Sequence, residues 1–236
     1  MDEQEKASQP YTVAYEDSNL LIVTKAQGLA TAPGYLPSLC EILFRQRPGL
    51  GEVHGYKKQE GGLLNRLDNE TGGLVLFART DAAFSVYSGM MAEGKIEKKY
   101  LAVARGKLDP GQGVIDMPVG HSRKSKRRMV ANSGKQKIRG RWQQAQTHFR
   151  TIETRGSYSL IELTITRGVR HQIRVHLQAL GCPVSGDKLY AADNTGFSYP
   201  YHLLYAYSLQ FVNPHGKEIR VQVDVPFLEL WKRIPE

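Results

Sequence analysis

Three places in the chain carry residues that could do chemistry. The first is a carboxylate in an unusual frame, Gly61-Gly62-Leu63-Leu64-Asn65-Arg66-Leu67-Asp68-Asn69-Glu70-Thr71-Gly72-Gly73. A carboxylate held on a rigid backbone can attack carbon or stabilise developing positive charge. The other reading of Asp-Asn-x-Thr-Gly is a tight turn in which the aspartate side chain accepts backbone N–H groups two residues on. The segment runs into the apolar stretch Leu74 to Ala78, so its backbone is anchored on a sheet, a good place to hold a reactive group. The second place is a helical stretch from about Arg170 to Leu180, where His171, Arg174 and Gln178 share an edge beside the apolar stripe of Ile173, Leu177 and Leu180. A functional edge and an ordinary surface edge both fit. The third is the window from His121 to Arg141, which contains Arg123, Lys124, Lys126, Arg127, Arg128, Lys135, Lys137, Arg139 and Arg141 with no Asp or Glu among them.

Those nine cations equal the whole net charge of +9, so the rest of the chain is electrically balanced and its basicity is local. Nucleic acid is the partner that fits, because neutralised phosphates release condensed counterions. A solvated loop that only aids solubility is the alternative.

Other chemistries lack their motifs. There is no Gly-x-Gly-x-x-Gly, no phosphate-binding loop and no Gly-x-Ser-x-Gly elbow. His171 and His176 are five apart, which puts them on different faces of a helix, so no metal set is expected and both read as structural. Cys40 and Cys182 are far apart and read as free thiols.

The elements that must position these groups can be traced along the chain. Residues 11–16 and 20–24 are β-rich and split by Asp17-Ser18-Asn19, an opening hairpin. A short buried strand follows Gly73. A helix then starts at Thr80-Asp81, with Phe84, Tyr87 and Met91 at helical spacing, and ends at Gly94. Residues 100–104 and 158–166 are strands. Residues 107–141, rich in Gly, Lys and Arg, read as an extended excursion, and residues 186–200 as irregular. The Arg170 helix stops at Gly181-Cys182-Pro183. A last hairpin pairs 203–211 with 218–225 through Asn213-Pro214-His215-Gly216. Short strands with few helices predict an α+β fold on a mixed, largely antiparallel sheet with flanking helices.

At 236 residues, 41% apolar and 23% charged, the chain is expected to be one globular domain over 11–236 behind a flexible N-terminus at 1–10. No run of 18 apolar residues could cross a bilayer, and the acidic start lacks a signal peptide, so the expected location is the cytoplasm.

Four blocks in order resemble the RluA-type pseudouridine synthases, which isomerise uridine in ribosomal or transfer RNA. They are Tyr15-Glu16-Asp17 through Leu29; Asn65 through Gly73; Lys98-Lys99-Tyr100 through Gly106; and Gly168 through His171-Gln172-Ile173-Arg174-Val175-His176-Leu177, continuing to Gly186-Asp187-Lys188-Leu189-Tyr190. The resemblance implies a catalytic Asp68, Arg66 beside it helping to open the target site, Tyr100 packed on the target base and Arg174 paired with the aspartate. It also implies that His171 and Gln172 meet substrate, with Arg127, Arg128, Lys137 and Arg139 gripping RNA. The reaction adds no atoms and has no net redox change, so no cofactor and no metal are implied. The implied partner is RNA, with no membrane and a monomeric protein.

The chain departs from the pattern at Asn65 (commonly His), Gly72 (usually Ser), Val169-Arg170 (usually Arg-Thr) and Tyr205 (frequently His). With the opening strand pair beginning near residue 11, the N-terminal S4-like RNA-binding module of many relatives is not expected, so the catalytic face and the 107–141 excursion are expected to hold the RNA. Two rivals stand beside this reading: a noncatalytic RNA-binding or RNA-folding factor on the same fold, and a nuclease or nucleoside hydrolase using Asp68.

Overall fold

Twelve strands and several helices are laid down in a computed structural model that describes residues 9–34, 37–134, 136–191 and 199–235. Most of the expected N-terminal tail, Lys135, and residues 192–198 of the stretch expected to be irregular lie outside the described residues. Two compact units form, one from the chain up to Glu97 with Ala206–Asp224, the other from Lys98–Tyr205 with Val225 onward.

The first unit carries strands β1 (Tyr11–Glu16), β2 (Leu20–Lys25), β3 (Gly72–Ala78), β11 (Leu204–Val212) and β12 (Glu218–Gln222). Their order is β1-β2-β3-β11, with β12 on β11. The opening hairpin turns where the Asp17 carboxylate accepts the Asn19 and Leu20 N–H groups at 2.8 and 2.7 Å. Every residue of β3 is buried, which is why it reads as an unbroken apolar run. Helix α2 (Asp81–Glu93) covers one face, burying Ala83, Phe84 and Tyr87 against Leu20, Ile22, Leu74 and Leu76. Its ends are those the sequence predicts: Thr80 Oγ1 accepts the Ala83 N–H at 3.1 Å, and Gly94 closes it at φ 76°. Helix α1 (Leu39–Gln46) has no counterpart among the elements expected from the sequence. Its capping box, Ser38 with Glu41, is nevertheless present in the sequence.

In the second unit, strands β4 (Glu97–Arg105), β10 (Tyr158–Ile165), β9 (Gln146–Arg155) and β5 (Gln112–Asp116) pair antiparallel in the order β4-β10-β9-β5. A small antiparallel sheet runs β7 (Met129–Ala131), β6 (Val119–Ser122), β8 (Ile138–Gln143). The 107–141 stretch is therefore more ordered than the expected extended excursion. Val119, Met129 and Ala131 point inward and pack with Val175 and Tyr190. Strands of three to six residues are too short for their alternation to stand out among so many basic loop residues.

Helix α3 (Gln172–Ala179) starts two residues later than predicted because His171 sits at φ 55° before it. It ends as predicted, with the Gly181 N–H on the Gln178 carbonyl and the Cys182 N–H on the Leu177 carbonyl, both at 3.0 Å. Helix α4 (Leu228–Lys232) buries Trp231, whose indole donates to Glu153 at 2.8 Å. Cys40 and Cys182 are free and buried. The fold is of the predicted α+β class, on a mixed, mostly antiparallel sheet.

At the end of the Asp68 segment close approach demands a glycine. Gly73, which ends the Asp68 segment, has φ 113°, and a Cβ there would lie 2.1 Å from the Ala206 carbonyl oxygen. Gly73→Ala is expected to lower the free energy of unfolding by more than about 2 kcal/mol, since strain and a backbone clash add. Urea titration of both proteins measures this, and a loss under about 0.5 kcal/mol would contradict the approach.

Candidate active site

In the first unit the segment around Asp68 hangs from the start of β3 and is tied down at almost every residue. Asn65 clips it to the strand, accepting the Leu76 N–H at 2.8 Å and donating to the Leu74 carbonyl at 3.4 Å. The Thr31 hydroxyl donates to the Leu67 carbonyl at 2.7 Å and accepts the Leu67 N–H at 3.2 Å, holding the peptide groups on either side of the Leu67 Cα. A tight turn is present at Asp-Asn-x-Thr, where the sequence suggests a side-chain bond, and a main-chain bond closes it, the Thr71 N–H on the Asp68 carbonyl at 3.0 Å. Asp68 itself is half-buried.

Beneath this turn lies Lys25, the last residue of β2, with no exposed surface. Its ammonium donates to the carbonyls of Ala26 (2.9 Å), Leu29 (2.7 Å) and Asn69 (3.2 Å). Burial pulls its pKa from 10.5 down to about 7, against the opposing pull of the Asp68 carboxylate. Arg66 reaches outward and pairs with Glu60, a buried carboxylate that also meets Lys57 at 3.4 Å. The chain here is fastened further by the Gly28 N–H on the Asn69 carbonyl (2.8 Å) and the Gln27 amide on the Glu70 carbonyl (3.0 Å).

In the second unit the predicted residues gather on α3. Arg174 is buried and forms a two-pronged pair with Asp187, Nε to Oδ2 at 2.7 Å and Nη2 to Oδ1 at 2.8 Å. Burial pushes the Asp187 carboxyl up, but the Arg174 bonds and charge, with the Leu189 N–H, hold it below the ordinary value. The Arg174 guanidinium lies 5.1 Å from the centre of the Tyr190 ring, and that of Arg128 lies 5.2 Å from the same ring. The Tyr190 hydroxyl accepts the Met129 N–H at 2.8 Å and meets His171 Nδ1 at 2.8 Å. Tyr190 thus joins the basic loop, His171 and Arg174.

Gln172 faces the interior. Its amide oxygen accepts the Val169 N–H at 2.9 Å, while its nitrogen donates to the Gln146 carbonyl at 2.9 Å and Thr147 Oγ1 at 3.1 Å. In this structure it holds the turn before α3. His176 is buried as well. Its Nε2 must donate to the Met117 carbonyl at 2.9 Å, leaving Nδ1 to accept from the Thr147 hydroxyl at 2.9 Å. Burial lowers its pKa, opposed by the Met117 bond and by Asp116, which fits a neutral structural histidine. Tyr100 lies in β4 opposite Leu163 and is 7% exposed. Arg127, Arg128 and Lys137 are exposed on the loops flanking β7, and Arg139 on β8.

The sequence-predicted residues therefore divide into Asp68 and Arg66 in the first unit and all the others in the second. Lys25, Thr31, Asp187 and Tyr190 were assigned no role from sequence. Lys25, Asp187 and Tyr190 nevertheless lie inside the recognised blocks. Among the described residues no group of three or more His, Cys, Asp or Glu is placed to hold a metal, and no helix is long and apolar enough to cross a membrane.

A family model described as RNA pseudouridylate synthase matches residues 19–179. The chain is 30% identical to "Uncharacterized RNA pseudouridine synthase YlyB" of Bacillus subtilis, over 91% of this chain and 69% of that one. It is 31% identical to "Ribosomal large subunit pseudouridine synthase D" of Nitrosomonas europaea, over 89% of this chain and 60% of the relative's length. Among solved structures it is similar to "Human RNA Pseudouridylate Synthase Domain Containing 4", with TM-score 0.71 and 25% identity over 95% of this chain and 94% of the other.

The lowered pKa of Lys25 has a thermodynamic sign. Unfolded, the amine holds its proton up to about pH 10.5; folded, it gives it up near pH 7. Between those values the unfolded chain binds more protons, so the contribution of Lys25 to stability rises with pH across this window and is level below it. Urea unfolding of the wild type and of Lys25→Met at several pH values from about 7 to 10 is expected to show a rise that the variant lacks. Parallel curves for the two proteins would refute it.

Proposed function

The chain belongs to the RNA pseudouridylate synthase family, whose members are isomerases, and on that footing we propose that it converts uridine to pseudouridine in ribosomal RNA with Asp68 as its catalytic group. Ribosomal RNA is chosen over transfer RNA because similar proteins bear the name ribosomal large subunit pseudouridine synthase D. The reading treats residues 11–236 as one catalytic domain that works in the cytoplasm as a monomer.

The reaction breaks the N1–C1′ bond and forms C5–C1′. A proton leaves C5 and N1 gains one, so atoms and electrons balance without an oxidant or a group donor. Asp68 could add to the sugar, add to the base or remove a sugar proton, and each route requires its carboxylate ionised. The observation that carries the reading is the way the Asp68 segment is held: the N–H and carbonyl of Leu67 both on Thr31, the turn closed at Thr71, and the Asn69 carbonyl on the buried Lys25 amine. A group whose backbone is this constrained needs little reorganisation when charge develops at the sugar.

In this reading Arg174 is the cationic partner of Asp68. Its bonds to Asp187 run through Nε and Nη2 and set the plane of the guanidinium. Tyr100 is the platform for an extruded base, a contact worth roughly 1–3 kcal/mol. Arg66 and His171 meet the substrate nearby, while Gln172 shapes the turn that presents His171. The loops carrying Arg127, Arg128 and Lys137 grip phosphates.

Two outcomes test this. With Asp68→Asn, carbodiimide-dependent reverse-transcription stops on ribosomal RNA should disappear while RNA affinity stays within about twofold, under ~0.5 kcal/mol. Stops at wild-type level would remove Asp68 from the mechanism. A protein that binds RNA yet never creates stops would instead be the noncatalytic factor. Replacing Arg127, Arg128 and Lys137 together by Ala should reduce the log–log salt slope of RNA binding by about 2. An unchanged slope would make these loops mere solvated surface.

A further inference from the structure

One group of basic residues, Arg139 among them, converges with no counter-charge among the described residues. His121, Lys126, Arg139, Gly140 and Arg170 line an open hollow of roughly 400 Å³ in the second unit. His121 on β6 and Arg139 on β8 are direct cross-strand partners. Lys126 comes from the loop between β6 and β7, and Arg170 from the turn before α3. Between Asp116 and Glu153 the chain has no acidic residue at all.

Arg139 is held in place. Its Nε donates to the Ser122 carbonyl at 3.0 Å and its Nη2 to the Ser125 carbonyl at 3.2 Å. Both partners are neutral, so the guanidinium is oriented while its charge stays uncompensated, and Nη1 keeps its donors for something else. Lys126 and Arg170 make no ion pair among the described residues. Gly140, at φ 76° with nothing within 4 Å of its Cβ position, leaves the rim bare. Three permanent cations facing one hollow repel each other, and an oxyanion removes that repulsion while accepting their N–H groups.

We propose that this hollow is a discrete binding site for one backbone phosphate of the RNA, held jointly by Arg139, Lys126 and Arg170 with His121 at its wall. The proposal rests on the reading that the protein acts on RNA. Arg170 immediately precedes His171 and lies four residues before Arg174, so the phosphate would belong to the RNA segment that presents the target nucleotide. The Val169-Arg170 departure from the family pattern thereby gains a function.

A shared phosphate has a signature that scattered surface charges lack. Fluorescence anisotropy with a labelled single-stranded, uridine-containing RNA gives the log–log salt slope for wild type, Lys126→Ala, Arg170→Ala and the double variant. Both substitutions are at exposed positions, so the fold is retained, which Tm checks. Each single variant should flatten the slope by about 0.7, the loss of one phosphate on a single strand. The double variant should lose the same single step, whereas Arg170→Ala combined with Arg127→Ala, which meets a different phosphate, should lose about twice as much. Two separate steps in the Lys126/Arg170 double variant, or unchanged slopes, would overturn the site. Failure of the synthase reading shows elsewhere, as absence of carbodiimide-dependent stops with the wild-type protein whatever the slopes.

Discussion

A lysine amine buried under a turn, donating to main-chain carbonyls, is the interaction on which the candidate site depends. Lys25 has lost its water and recovers only main-chain carbonyls, from Ala26, Leu29 and Asn69. An unpaired ammonium in such a place would simply lose its proton, and burial does move Lys25 that way. The field of Asp68 opposes this, and the bonds to the three carbonyls fasten the loop after β2 to the turn that carries Asp68. Residues far apart in sequence, such as Gly28 and Asn69, become neighbours for the same reason. The carboxylate is positioned by backbone atoms, with side chains acting mainly as clips.

The second unit solves a similar problem with side chains. Arg174 is too buried to rely on water, and Asp187 meets it with both oxygens while also accepting the Leu189 and Tyr190 N–H groups. Tyr190 extends the network to His171 and Met129 by its hydroxyl and to Arg128 by its ring. Alongside runs a second chain, Gln172 to Thr147 to His176 to Met117, which fixes α3 on β9. The positive φ of His171 is tolerated because its flanks are held at Val169 by Gln172 and at its own ring by Tyr190.

Much of this is legible in the sequence, and what is not has a physical reason. The hairpins and helix α2 announce themselves because Asp17, Thr80 and Gly94 act locally, within a few residues of what they cap. Strand β9 does not, because it is half-exposed and its polar alternation resembles a loop. Helix α1 carries a readable capping box but only eight residues. Within the site, Asp68 and Arg174 stand out by type and frame. Lys25 does not, because its partners are main-chain carbonyls, and a carbonyl leaves no trace in residue identity. Asp187 and Arg174 are 13 residues apart with an irregular connection, so no periodicity links them.

The seam at Gly73 ties the end of the Asp68 segment to Ala206, and β3 lies beside a strand that begins only at Leu204. Translation delivers these partners far apart in time, since more than half of the sequence separates Gly73 from Ala206. While the ribosome is still making the middle of the protein, the sheet edge that supports Asp68 stays unpaired, because its neighbour has yet to be synthesised. The Asp68 segment therefore gains its last backbone neighbour only after residue 206 has been made, and a truncation upstream of residue 206 removes that neighbour.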